Sequence, residues 1–297
     1  MARWQAAHVA GLLADLTGRA SEVVVVETTG DRDRDVPLEE VGGQGIFVKE
    51  VQQAVLDGRA DVAVHSAKDL PASTSVPGLV LAAVPVRGDR RDALVGATVA
   101  TLPPGSTVAT GSARRRVQLA ALRPDLGFVP LRGNLGTRLA RVGTGGVAAV
   151  LVAQAALDRL SWRPEGPGLH DVLDVEAMVP QVGQGALALE CRGADAPVLD
   201  ALARLDDEPS HRELVAERAF LAQLGGGCTL PVGATATVRP GGGEGGGVSV
   251  LGVLADAGGH TVVRETMTGA DPAAVGAEVA RRLLGEVGRW WPGGPVA

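Results

Sequence analysis

The sequence predicts an α/β protein of more than one domain that ends in a small α+β unit with an antiparallel sheet. Three observations carry this. At 297 residues the chain is long for one hydrophobic core, so two or three domains are expected. Short apolar runs recur, each closing on glycine, serine or charged residues, often with a helical pattern behind, as strands with ligand-facing ends do. Beyond residue 230 the runs Pro231–Val238, Val248–Leu254 and Thr261–Arg264 follow one another as strands of a small antiparallel sheet.

Taken in order, Gln5–Leu16 sets Val9, Leu12, Leu13 and Leu16 on one helical face. Glu22–Glu27 holds four consecutive valines and predicts a buried strand. Thr28–Val41 is a polar loop, and the glycine-rich stretch Val41–Phe47 leads into a helix ending near Leu56. Three glycines in four residues permit a mobile loop or a close backbone approach to an anion, a weak motif on its own. Val62–Val64 predicts a short buried strand of parallel-sheet type. At its carboxyl end stand His65, Ser66, Lys68 and Asp69, and Pro71 then bars a helix. Ligands bind at that end of a strand in open α/β sheets. Leu79–Val84 is another strand, and Pro85–Arg91 a charged connection marking the first domain boundary.

Thr107–Thr110 is a strand running into Gly111-Ser112-Ala113-Arg114-Arg115-Arg116 and a helix to about Leu122. Free backbone N–H groups there form an anion site. Three arginines in a first turn oppose the helix dipole, a cost that points to bidentate capture of carboxylates. Gly127–Leu131 leads likewise to Arg132 and Arg138, and Val147–Val152 precedes a helix carrying Arg159. A solvated face accounts for Arg116, Arg123 and Arg141, but poorly for arginines recurring at strand ends. Val179–Ala186 is a return crossing between domains, Leu187–Cys191 a strand, and Val198–Leu205 and Glu213–Leu224 are helices. The second of these ends at three glycines directly before Cys228. Pro240–Gly247 is a flexible hairpin tip, and Asp271-Pro272 opens a last helix to about Val287.

A net charge of −6, with four Trp, three Phe and no Tyr, argues against a nucleic-acid partner. No apolar run is long enough to span a membrane and no leader pattern is visible, so the cytoplasm is the expected compartment. Two cysteines are too few for a disulfide framework or a zinc cluster, and no metal is expected. Cys228 reads as a loop thiol, a nucleophile or an attachment point, and Cys191 as a buried bystander.

His65-Ser66-Ala67-Lys68-Asp69-Leu70-Pro71, Gly111-Ser112-Ala113-Arg114-Arg115, Leu131-Arg132-Gly133-Asn134-Leu135-Gly136-Thr137-Arg138, Val182-Gly183-Gln184-Gly185-Ala186 and Gly226-Gly227-Cys228 follow one another in register. In these five motifs the chain resembles the porphobilinogen deaminase family, from about residue 2 to the final helix. The resemblance implies a monomer of three domains, the first two built like type II periplasmic binding proteins. Their expected extents are 1–85 plus 186–204, 88–180, and 207–297. It implies stepwise joining of four porphobilinogen molecules with loss of ammonia, on a dipyrromethane cofactor held through a thioether, and a final hydrolysis.

On the match Cys228 is the attachment cysteine and Asp69 the catalytic carboxylate. Lys68, Ser66, Thr110, Ser112, Arg114, Arg115, Arg132 and Arg138 are expected to hold the cofactor. Arg159, Phe47 and Gln184 are expected at the substrate, with Phe47 part of a lid. The chemistry agrees: each porphobilinogen brings two carboxylates for the arginines, and a carboxylate can stabilise the cation left when ammonia departs. Two departures from the family pattern are tolerable, Gly111 where many relatives carry serine and Gln44 where some carry lysine. Met1 stands inside the family's opening motif, so an initial strand with its arginine and serine is expected upstream, and the 297-residue form is expected to be impaired. An inactive remnant is a further reading raised by that start. The main rival is a non-catalytic carboxylate-binding protein on the same scaffold, which would carry no covalent pyrrole chain.

Overall fold

A computed structural model of the chain describes residues 1–26, 48–71, 76–166, 168–225, 230–239, 246–256 and 260–287. The expectations placed on the glycine loop, Phe47, Gln44, Cys228 and most of the 240–247 tip fall outside these residues. The described chain forms three sheets.

Helix α1 (Ala2–Thr17) buries Val9 and Gln5 and ends at Gly18, whose left-handed backbone terminates the helix. Helix α2 (Lys49–Leu56) and strand β1 (Val62–Ser66) follow, then a single 3-10 turn (Ala67–Asp69) and β2 (Leu79–Ala83). The first sheet has the order β1-β8-β2, where β8 (Leu187–Arg192) arrives from far along the chain and pairs antiparallel with both neighbours. This corrects the parallel pairing expected for β1. Its residues alternate between half-buried and buried faces, with Ala63 and His65 on the buried one.

The valine run is a second correction. Residues 19–26 form no strand, and Val23, Val24 and Val25 are 41, 48 and 61% exposed. A valine run is buried only beside a partner strand, and among the described residues the outer edge of β1 pairs with none.

The second sheet has the order β5-β4-β6-β3-β7. Strands β4 (Thr107–Ala109), β5 (Gly127–Val129) and β6 (Val147–Ala153) are parallel, while β3 (Asp92–Val95) runs against β6 and against β7 (His170–Leu173). Helices α3 (Ala113–Leu122), α4 (Leu135–Leu139) and α5 (Gln154–Arg159) each leave the carboxyl end of a parallel strand. Ser112 and Asn134 cap α3 and α4 through side-chain oxygens that accept from Arg115 N and Thr137 N. Strands β3 and β7 and the short α4 were not foreseen.

After α6 (Ala196–Ala203), helix α7 (Glu208–Gln223) starts a turn earlier than expected, because Asp207 caps it and Pro209 sits in its first turn. It lies with α8 (Pro272–Val287) over the antiparallel sheet β11-β10-β9, built from β9 (Val232–Arg239), β10 (Gly247–Ala255) and β11 (Val262–Gly269). Phe220, Val279 and Leu283 fill that core around Gly252, where any Cβ would meet all three side chains. No helix of the described residues is long and apolar enough to cross a membrane.

Two segments, 84–91 and 179–186, connect the first and second sheets and touch each other. Gly88 N donates to Gly185 O at 3.2 Å, and Arg87 Nε donates to Gln184 O at 2.9 Å. Both meet α7 at one carboxylate: Arg87 forks onto Glu217 at 2.8 and 3.0 Å, and Gly183 N donates to Glu217 Oε2 at 2.7 Å. Ala236 N of β9 donates to its other oxygen at 2.9 Å. Glu217 is fully buried, and these four donors supply the partners a buried charge requires.

Candidate active site

At the carboxyl end of β1 the chain turns through Ala67–Asp69 and straightens at Leu70, as the following proline requires. Ala67 N donates to Ala186 O at 3.1 Å, so the turn lies directly on the second connecting segment. Gly183 makes that approach possible: its φ is +72°, and a Cβ there would stand 2.8 Å from Ala67 C and Lys68 N. Gln5 Nε2 donates to Ser66 Oγ at 2.7 Å from α1.

Ser66, Lys68, Asp69, Arg159, Gly183, Gln184 and Gly185 line one cavity of about 150 Å³. Five of the residues expected from the sequence are therefore brought together. Asp69 remains accessible through the cavity, yet protein crowds it enough that desolvation raises its carboxyl above the ordinary value, against the pull of Lys68 and His65. Burial drives the Lys68 ammonium down to about 8; Asp69 and Asp92 oppose the shift, while Arg115 and Arg114 add to it. The pair thus offers a carboxylate poised to exchange protons and a cation that loses its charge near neutrality. Arg159 donates from Nη2 to Gly185 O at 2.8 Å and lies 5.8 Å over the Trp4 ring, which fixes its head beside the cavity.

Arg114 and Arg115 stand differently from the expectation that their forks are free for ligands. Both are buried, and both pair with Asp92 at the start of β3. Arg114 Nη1 donates to Asp92 Oδ2 at 2.6 Å and to Val179 O at 2.7 Å; Arg115 Nε donates to Asp92 Oδ1 at 2.8 Å. Gln184 is fully buried and donates to Asp92 Oδ1 at 2.8 Å and to Arg90 O at 2.9 Å, so its amide is committed to the connecting segments. Burial pushes the Asp92 carboxyl up, but Arg114 and Arg115 outweigh it and hold it at about 2. Asp92 is the residue that sequence reasoning missed; the visible signal was one aspartate following Arg90-Arg91 at a strand start.

Two guanidiniums on one carboxylate leave a surplus of positive charge, and Arg114 Nη2 is buried with no hydrogen-bond partner among the described residues. Thr110 is buried, its Oγ1 accepting from Ser112 N at 3.2 Å, and Ser112 caps α3 in front of these arginines. Arg132 is exposed, whereas Arg138 is half-buried, donates from Nε to Gly133 O at 2.7 Å, and has its pKa lowered by desolvation. The second sheet's strand ends thus assemble cations that one aspartate only partly neutralises. Cys191 is buried in β8, as expected.

Comparison with known proteins decides the family. A family model described as "Porphobilinogen deaminase, dipyromethane cofactor binding domain" matches residues 1–200. A second, "Porphobilinogen deaminase, C-terminal domain", matches residues 211–285. The chain belongs to the porphobilinogen deaminase family. A porphobilinogen deaminase of Syntrophus aciditrophicus is 45% identical over 90% of this chain and 86% of its own. That of Acidothermus cellulolyticus is 44% identical over 97% and 85%. The periplasmic VFT2 domain of Bordetella pertussis BvgS overlays 67% of this chain and 75% of its own, at 22% identity and a TM-score of 0.38.

The residues present fit the dipyrromethane cofactor of the family. Its carboxylates call for buried or half-buried cations with donors to spare: Arg114 Nη2 has no hydrogen-bond partner among the described residues, and Arg138 is half-buried with a desolvated charge.

Proposed function

We propose that this chain joins four porphobilinogen molecules head to tail, releases ammonia at each condensation, and frees the linear tetrapyrrole by hydrolysis. The observation that carries the reading is the single cavity uniting Asp69, Lys68, Ser66 and Arg159, in a chain of this family. We read this transferase as a monomer in the cytoplasm with domains at 1–85 plus 186–204, 88–180 and 207–297, a division that the three separate sheets support.

Bound dipyrromethane, attached through Cys228, supplies the primer to which pyrrole units are added. Lys68, Ser66, Thr110, Ser112, Arg114, Arg115, Arg132 and Arg138 hold its carboxylates. Arg159 orients the incoming substrate through one of its acid groups, Phe47 covers it, and Gln184 keeps the cavity wall in place. Asp69 lines the cavity, where its negative charge would stabilise the cation left by departing ammonia and its oxygens would exchange the pyrrole proton. Desolvation enlarges that stabilisation, because opposite charges interact more strongly away from water.

The activity test is direct. Supplied with porphobilinogen, the protein releases ammonia and a linear tetrapyrrole, and Cys228→Ser does neither. Tetrapyrrole formation by Cys228→Ser would refute the attachment role.

Lys68 gives a pH prediction. Its pKa is lowered to about 8, so it is charged below that pH and neutral above. The cavity then loses a cation for substrate carboxylates as pH rises through 8, and kcat/KM falls. In Lys68→Gln that limb disappears and the low-pH value drops to the plateau. An unchanged limb in Lys68→Gln would assign it to another group.

A further inference from the structure

We infer that Arg218 is a positioning residue for Asp69, fixing the segment that carries the carboxylate to the helix that runs toward Cys228. This rests on the reading of Asp69 as the catalytic carboxylate.

The segment Ala67–Pro71 is anchored on its near side by Ala186 O and by the approach of Gly183. Past Asp69 that support ends. Among the described residues one side chain bonds the far side: Arg218 of α7, whose Nη2 donates to Pro71 O at 2.9 Å. The half-buried guanidinium lies near a polar cluster of Glu190, His65 and Gln52. Glu190 of β8 lies in its field, with Glu190 Oε2 3.0 Å from His65 Nε2 and accepting from Gln52 Nε2 at 2.8 Å. His65 in turn acts on Asp69.

The arrangement is costly. Arg218 Nη1 is buried with no hydrogen-bond partner among the described residues, and desolvation lowers the pKa of the whole group against the attraction of Glu190. A neutral side chain would fill the space without that cost. An arginine kept in partly satisfied burial is expected where its remaining bond fixes something that chemistry depends on. Here that bond ends two residues from Asp69. It also ties Asp69 to α7, so a displacement of the third sheet would move the carboxylate.

The test uses cofactor-loaded protein, with loading measured by intact mass and rates expressed per loaded molecule. Arg218→Met keeps the stem and removes the donors. Misplacing a reacting group by about 1 Å costs up to ~10²-fold, so kcat is expected to fall at least ~10-fold while KM for porphobilinogen changes less than about 2-fold. Arg218→Lys, with one donor nitrogen and the charge, recovers most of the rate. Should Arg218→Met fail to fold or load, Arg218→Gln is read in the same way. Wild-type kcat in loaded Arg218→Met, or a loss of rate that vanishes on cooling along with a loss of thermal stability, overturns the inference. Asp69→Asn in the same assay separates the two readings. A slow Asp69→Asn with a fast Arg218→Met sinks the inference alone, and a fast Asp69→Asn sinks the reading beneath it.

Discussion

Asp69→Asn turns over porphobilinogen at least ~100-fold more slowly than the unsubstituted protein, the usual scale for a positioned acid–base group, while its melting temperature is unchanged or higher. No side-chain hydrogen bond to the Asp69 carboxylate is seen among the described residues, and desolvation already disfavours its charge, so an isosteric amide removes a cost. What is lost is the negative charge at the reacting centre, together with the counter-charge that supports Lys68. The ammonium of Lys68 then falls below about 8, and the high-pH limb of kcat/KM moves down with it. Steady-state rates and a thermal melt on one preparation decide the matter. Near-normal rates would remove Asp69 from the mechanism.

The second large effect belongs to Asp92. Asp92→Ala strands Arg114 and Arg115, two buried cations whose shared acidic partner disappears. Removing one side of a buried ion pair costs about 3–5 kcal/mol, and a whole domain is stable by only about 5–15 kcal/mol. The variant is expected to be largely unfolded or insoluble. Asp92→Asn keeps the shape and half the acceptors, and its acid response is the finer test. The folded pKa of Asp92 is lowered from the ordinary 3.8 to about 2. Its contribution is therefore fully present above pH 4 and is lost as pH falls from about 4 toward 2. At 1.36 kcal/mol per unit the stake is about 2 kcal/mol. Denaturant titrations at pH 7 and pH 3 should show about half of that loss, ~1 kcal/mol, in the parent and little of it in Asp92→Asn. Equal acid sensitivity in both would mean the buried triad does not set stability.

The legibility of this molecule followed local chemistry. Strand β1 and its polar end were readable because Pro71 and the residue types of His65–Asp69 act locally, and the cavity forms where they pointed. Helix α8 was readable from Asp271-Pro272, whose carboxylate does cap it, Ala274 N donating to Oδ1 at 3.1 Å. Partnership across the chain was not readable. The valine run matched a buried strand in composition, but burial depends on a neighbour, and residues 23–25 remain exposed. The antiparallel seat of β8 between β1 and β2 depends on residues more than a hundred positions away. Arg114 and Arg115 read as ligand-facing from their position in the first turn of a helix. That both also pair with Asp92 was not readable, because no periodicity ties Asp92 to α3. Glu217, which collects both connecting segments, was equally silent within the plain helical pattern of α7.

The central claim is a covalent primer on the thiol of Cys228, and one mass spectrum of the purified protein under denaturing conditions tests it. The account predicts a mass above that of the 297-residue chain by two pyrrole units, carried on the peptide containing Cys228 and absent from Cys228→Ser. Protein that consumes porphobilinogen while showing the bare polypeptide mass, or an addition mapped to Cys191, would contradict it.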